Sequence, residues 1–73
     1  MTTNIFEGRK FDVCFDDNDN SDSKGWEESY EYCKEYIEQN NGTDNSYFGD
    51  YHNGVVSIVD VESGEIVYDE RIK

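Results

Sequence analysis

The run Val55-Val56-Ser57-Ile58-Val59-Asp60-Val61 constrains this chain more than any other feature. Val55, Ser57, Val59 and Val61 alternate with Val56, Ile58 and Asp60, so a strand built from it is apolar on nearly both faces and belongs inside a sheet. Apolar residues are scarce elsewhere. Hydrophobic side chains make up 34% of the 73 residues, against a usual share of about 45–50%. A chain this short and this polar forms one domain, residues 1–73, with little interior, which excludes a large enclosed cofactor site or a second domain. Low hydrophobicity with high charge is also the composition of disorder. Eleven regularly spaced aromatic residues argue for a fold instead.

Lys10 to Asp16 alternates, with Phe11, Val13 and Phe15 on one face and Asp12, Cys14 and Asp16 on the other, the pattern of a half-buried strand. Residues 17–25 are polar throughout and read as a surface loop. From Trp26 to about Asn40 the period becomes helical, since Trp26, Tyr30, Cys33 and Ile37 recur at i, i+4, i+7 and i+11. Asn41-Gly42 supplies the left-handed residue that ends many helices. Asn53-Gly54, between Tyr47–Tyr51 and Val55–Val61, predicts a type I′ hairpin. A second turn over Glu62-Ser63-Gly64-Glu65 leads to a strand over Ile66–Ile72. The expected fold is α+β in the order β-α-β-β-β, with one helix packed on a mostly antiparallel sheet of about four strands.

Eighteen acidic residues face six basic ones, a formal charge of −12. Residues 12–50 hold twelve of the acids and two of the bases, so ten of the twelve net charges lie there. On a helix starting at Trp26, Glu27, Glu31, Glu35 and Glu38 fall on the side away from Ile37, with Glu28 at the edge of the arc and only Lys34 between them. Like charges four residues apart destabilise a helix by roughly 0.2–0.5 kcal/mol per pair, and the helix dipole opposes Glu35 and Glu38 near the C-terminus. Asp16, Asp17, Asp19 and Asp22 extend the charge into the preceding loop. An arrangement that weakens the compact state points to a binding surface.

A ladder of carboxylates on a rigid rod can stand in for the phosphate array of a duplex. In short length, strong negative charge and the placement of Glu27, Glu31, Glu35 and Glu38 beside an Asp-rich loop, the chain resembles the phage-encoded nucleic-acid mimics of anti-restriction and anti-CRISPR type. The resemblance is one of charge character over residues 12–50, without a diagnostic motif. It implies a non-enzymatic inhibitor, a basic nucleic-acid-binding partner such as a Cas or restriction component, exclusion of DNA as the mechanism, and no direct nucleic-acid binding. The host-cell cytoplasm is the compartment expected if the chain is phage-encoded. A small immunity or antitoxin-like protein covering a basic nuclease would use the same acids.

Other motifs are weaker. Counting Asp17 as position 1 puts Asp19, Ser21, Ser23 and Glu28 at positions 3, 5, 7 and 12 of an EF-hand-like calcium loop, but Asp22 stands where Gly is needed and a strand precedes the loop. A calcium-stabilised module is therefore the third reading, and neither a cofactor nor a metal ligand is assigned. Cys14 and Cys33 have no CxxC spacing and are out of phase for a disulfide, so two free thiols are expected. His52 reads as an exposed turn residue, and the sequon Asn41-Gly42-Thr43 as an accident of a turn. Tyr32 lies between the apolar and acidic arcs, while Tyr47 and Tyr51 would share a strand face. Tyrosines so placed either pack at the edge of the core or anchor arginines of a partner. No catalytic constellation, signal peptide or membrane span is recognisable.

Overall fold

The computed structural model describes residues 8–73. Its elements are β1 (Phe11–Asp16), β2 (Ser21–Ser23), α1 (Tyr30–Asn40), a 3-10 turn over Ser46–Gly49, β3 (Val55–Asp60) and β4 (Ile66–Arg71). One helix lies on a four-stranded antiparallel sheet of order β2-β1-β3-β4, an α+β fold. The nearly two-faced apolar strand β3 sits inside the sheet, between β1 and β4, as its pattern demands. Phe11, Val13 and Phe15 of β1 and Val56 and Ile58 of β3 are fully buried beneath Cys33 and Ile37 of α1.

Four local readings of the sequence are corrected. Ser21–Ser23 within the polar segment is a strand, pairing Cys14 with Ser23, Phe15 with Asp22 and Asp16 with Ser21. Its residues carry no apolar pattern because all three are exposed, and pairing is supplied by the backbone alone. The segment then runs on alongside β1. Lys24 N donates to Val13 O at 2.9 Å, Trp26 N to Asp12 Oδ1 at 2.9 Å, and Phe11 and Glu28 exchange backbone bonds of 2.7 and 3.0 Å. These bonds keep residues 26–28 extended. The helix consequently starts four residues later than its apolar period suggests, with Ser29 as N-cap accepting from Tyr32 N at 3.1 Å.

The third correction concerns Tyr47–Tyr51, which is not a strand. Phe48 and Tyr51 are both buried, and a separation of three residues places them on one side of a tight helical turn, not of a strand. The four strands are therefore arranged β-β-α-β-β along the chain, the fourth being β2 and not Tyr47–Tyr51. Phe48 and Tyr51 close the open end of the core around Phe15. The ring of Phe15 stands edge-on to Phe48 at 5.0 Å and lies 6.1 Å from Tyr51.

Asn53-Gly54 does not form a hairpin either. Asn53 is left-handed at φ 70°, but Gly54 is not, and the pair joins the 3-10 turn to β3, with Asn53 N donating to Ile72 O at 3.0 Å and Ile72 N to Gly54 O at 2.9 Å. Gly54 is needed for closeness: a β-carbon there would lie 2.5 Å from Asp16 O and 3.1 Å from Tyr51 O. The expected Gly42 terminator is present at φ 98°. The expected turn after β3 is also present, closed by Gly64 N to Asp60 O at 2.7 Å and Asp60 N to Glu65 O at 2.8 Å. Between β3 and β4 the register shifts, so that Ile58 faces Tyr68, Val59 faces Ile66, and Val67 is the extra residue of a bulge.

Buried polar groups are few and mostly paired. Asp60, 2% exposed, is held by Arg9 at 2.7 Å and accepts from the backbone N–H groups of Glu62 and Ser63 at 2.9 and 3.2 Å. Asn41 follows α1 and ties it to β4, donating to Arg71 O at 3.0 Å and accepting from Lys73 N at 2.9 Å. The sequon asparagine thus has a structural task. Because the contact at Gly54 is with backbone, Gly54→Ala is expected to destabilise the protein by about 1–3 kcal/mol. A urea titration should show a lower midpoint with an unchanged slope.

Candidate functional site

The acidic segment divides into side chains that build the fold and side chains left on its surface. Asp17 Oδ1 accepts from Asp19 N at 2.8 Å and Asn20 N at 2.7 Å, so Asp17 shapes the β1–β2 turn. Asp22 shares the Phe15 face of the sheet and accepts from the Tyr51 hydroxyl at 2.6 Å. That bond, followed by burial, pushes the Tyr51 phenol up from its ordinary value. Both aspartates are engaged in local structure. Asp16, Asp19 and Glu27 are exposed and make no side-chain hydrogen bond or ion pair to another described residue.

On the helix, three of the expected glutamates remain. Glu31, Glu35 and Glu38 are exposed residues of α1 and fall within about 60° of one another over an axial rise of about 10 Å. Glu27 and Glu28 lie in the extended segment before it, so the Glu27–Glu31 repulsion expected on a longer helix does not arise. Glu38 is partly neutralised by Lys34, whose Nζ lies 2.9 Å from its Oε1, an exposed pair that contributes little to stability. Glu35 accepts from Gln39 Nε2 at 3.0 Å. What the fold presents on α1 is a shorter ladder, Glu31-Glu35-Glu38, while Glu27 precedes the helix and Asp16 and Asp19 line a separate cleft with His52 and Arg71 at the β1–β2 turn.

Beside this ladder lies an aromatic cluster that only the tertiary structure assembles. Trp26 stands edge-on to Tyr32 at 5.3 Å and to Tyr36 at 4.8 Å. Tyr32 is 51% exposed. Lys24 Nζ sits 5.4, 5.6 and 5.7 Å from the ring centres of Trp26, Tyr36 and Tyr47 and donates to Ser46 Oγ at 3.0 Å. The one basic residue of the Asp-rich segment is therefore caged by three rings and does not screen the acids from outside. The sequence contained the signal in helical spacing between Tyr32 and Tyr36, but not the arrival of Lys24 and Tyr47 from other elements.

The calcium-loop residues are dispersed. Asp17 and Asp19 are in a hairpin turn, Ser21 and Ser23 in β2, and Glu28 beside Phe11. Among the described residues, no group of three or more His, Cys, Asp or Glu side chains is placed to hold a metal ion. Cys14 and Cys33 are free. Burial, then the Asp12 charge, raises the Cys14 thiol, and the same causes with Glu28 push Cys33 up to about 11. His52 is exposed, with Nδ1 2.8 Å from Lys73 O and Nε2 3.2 Å from Asp44. These contacts, the Lys73 carbonyl foremost, raise its pKa. Among the described residues no helix is long and apolar enough to cross a membrane.

Two outcomes follow from these environments. The Tyr36 hydroxyl is buried without a hydrogen-bond partner among the described residues, so Tyr36→Phe is expected to stabilise the protein by about 1 kcal/mol, read as a raised thermal midpoint. Raised thiol pKa values leave little thiolate at neutral pH. Alkylation followed by intact mass should therefore be slow at half-buried Cys14 and absent at fully buried Cys33 until denaturant is added. As for kinship, no protein-family model, curated protein or solved structure matches this chain.

Proposed function

We propose that this protein is a non-enzymatic inhibitor that presents an acidic, nucleic-acid-mimicking surface to a basic DNA-binding site of a host defence protein, of anti-CRISPR or anti-restriction type. The observation that carries the reading is the concentration of ten of twelve net negative charges in residues 12–50. Within that region Asp16, Asp19, Glu27, Glu31, Glu35 and Glu38 are all exposed. Repulsion between Glu31 and Glu35, one helical turn apart on α1, weakens the isolated helix, and a charge pattern retained against stability has its use outside the molecule. The partner is a basic nucleic-acid-binding protein such as a Cas or restriction component, met in the host cytoplasm. The chain itself does not bind nucleic acid, because phosphates are repelled by the same carboxylates.

The magnitudes assign separate jobs to charge and to shape. Screened surface charges mainly accelerate encounter, and their reach is about 8 Å at physiological ionic strength. Tight binding therefore requires that the rigid face of α1 match the spacing of the partner's basic residues. An immunity-type protein covering a basic nuclease would draw on the same acids. The two are separated by competition, because a mimic is displaced by duplex DNA whereas an immunity partner binds one nuclease while DNA binding continues.

The double variant Glu31→Lys, Glu35→Lys tests the reading. It should fold, because both sites are exposed, and its stability should change little, since a Lys pair at i,i+4 repels as the Glu pair does. Its affinity for a partner recovered from nuclease-treated lysate should fall by about tenfold or more, and the affinity of the wild type should fall steeply with salt. Unchanged binding by the folded double variant would refute the proposal.

A further inference from the structure

Tyr32 and Tyr36, one helical turn apart on α1, form with Glu35 and Gln39 a cleft of about 150 Å³. Trp26 packs against both rings, at an interplanar angle of 74° to each. Two of its four lining residues are tyrosines and one is a carboxylate, Glu35, whose Oε1 is held by Gln39 Nε2. The other carboxylate oxygen makes no hydrogen bond to a described residue and remains able to accept. Two tyrosine rings beside an oriented carboxylate suit a planar cation, which stacks on the rings and donates to the acid.

The cluster already holds one cation. Lys24 Nζ lies over Trp26 and Tyr36, the second of which also lines the cleft. That lysine is fixed by Ser46 and is part of the fold, so the outer cleft is a separate seat on the same aromatic system. Arginine fits it better than lysine. The guanidinium is flat, weakly hydrated and carries several in-plane donors, whereas the ammonium is a compact and strongly hydrated point charge. The arginine does not come from this chain. Its two arginines are occupied, Arg9 by Asp60 and Arg71 by Asn53 O, and a charge of −12 opposes association of a second copy.

We propose that the Tyr32–Tyr36 cleft receives an arginine side chain of the basic partner, with Tyr32 and Tyr36 as stacking faces and Glu35 as acceptor. The inference rests on the acidic-inhibitor reading for the identity of the partner class, and gives that surface an anchor where charge alone supplies only attraction. It also separates the roles of the acids: Glu35 acts by direct contact, whereas Asp16, Asp19 and Glu27 act through the field.

Arginine and lysine homopeptides of equal length and charge, titrated calorimetrically into the intact protein at low and high salt, test the seat. The arginine peptide should bind about fivefold more tightly, in line with a cation–π increment of about 1 kcal/mol, and the preference should survive high salt better than the total affinity. Tyr32→Ala and Glu35→Gln should each abolish the preference, while Tyr32→Phe keeps it. Both sites are exposed, and near-UV circular dichroism checks each fold. Equal affinity for the two peptides, or a preference that persists in either Tyr32→Ala or Glu35→Gln, overturns the proposal. Failure of the wider reading looks different. If arginine is preferred but the protein does not compete with duplex DNA for a basic site, the seat stands and mimicry falls. Competition without arginine preference leaves mimicry standing and removes the seat.

Discussion

A single dry layer is the constraint on which everything else in this molecule depends. Phe11, Val13 and Phe15 of β1 and Val56 and Ile58 of β3 meet Cys33 and Ile37 of α1, with Phe48, Tyr51 and Ile72 closing the ends. Burying one such side chain contributes about 1.5–3 kcal/mol, whereas one like-charge pair on the helix costs roughly 0.2–0.5 kcal/mol. A few buried rings therefore offset the whole ladder of repelling glutamates. This is how so acidic a chain folds. The composition supplies no second dry layer, and the outer faces are left to polar and charged side chains.

The same economy explains why not every acid belongs to the surface that a partner meets. Asp12, Asp17, Asp22 and Asp60 accept hydrogen bonds that hold backbone segments or a phenol in place. Glu70 is likewise engaged, by the Tyr68 hydroxyl and by Asn41, which against the opposing effect of burial bring its carboxyl below the ordinary range. What is left outward on the loop and helix is a smaller set with a more defined geometry than total charge suggests. Lys24, which in sequence looks like a counter-charge to the Asp-rich loop, is turned into an aromatic cage.

Legibility varied with the kind of signal. The interior position of β3 was legible because a strand apolar on both faces must be covered on both, the half-buried face of β1 because strict alternation has one solution on a pleated sheet, and the final hairpin from its turn residues. The start of α1 was not: Trp26 continues the helical period of Tyr30, Cys33 and Ile37, yet pairing of Glu28 with Phe11 holds its segment extended. Strand β2 was invisible for the opposite reason, since an edge strand of exposed polar residues has no pattern to read. Tyr47–Tyr51 misled because alternation over five residues also fits a single helical turn that buries Phe48 and Tyr51. For the candidate surface, the Glu31-Glu35-Glu38 face was readable, whereas the packing of Trp26, from the extended segment before α1, against Tyr32 and Tyr36 was not.

Period and composition by themselves thus determined an α+β chain with one central apolar strand, one amphipathic helix and a charge excess gathered in its first two thirds. Local pattern suffices for these because each reports a face that must be either dry or wet. Tertiary structure decided which acids are spent on backbone bonds, where the helix begins and that Trp26 packs against both Tyr32 and Tyr36 beside Glu35. Those outcomes depend on competition between partners distant in sequence for the same backbone and aromatic groups, and only the folded chain resolves that competition.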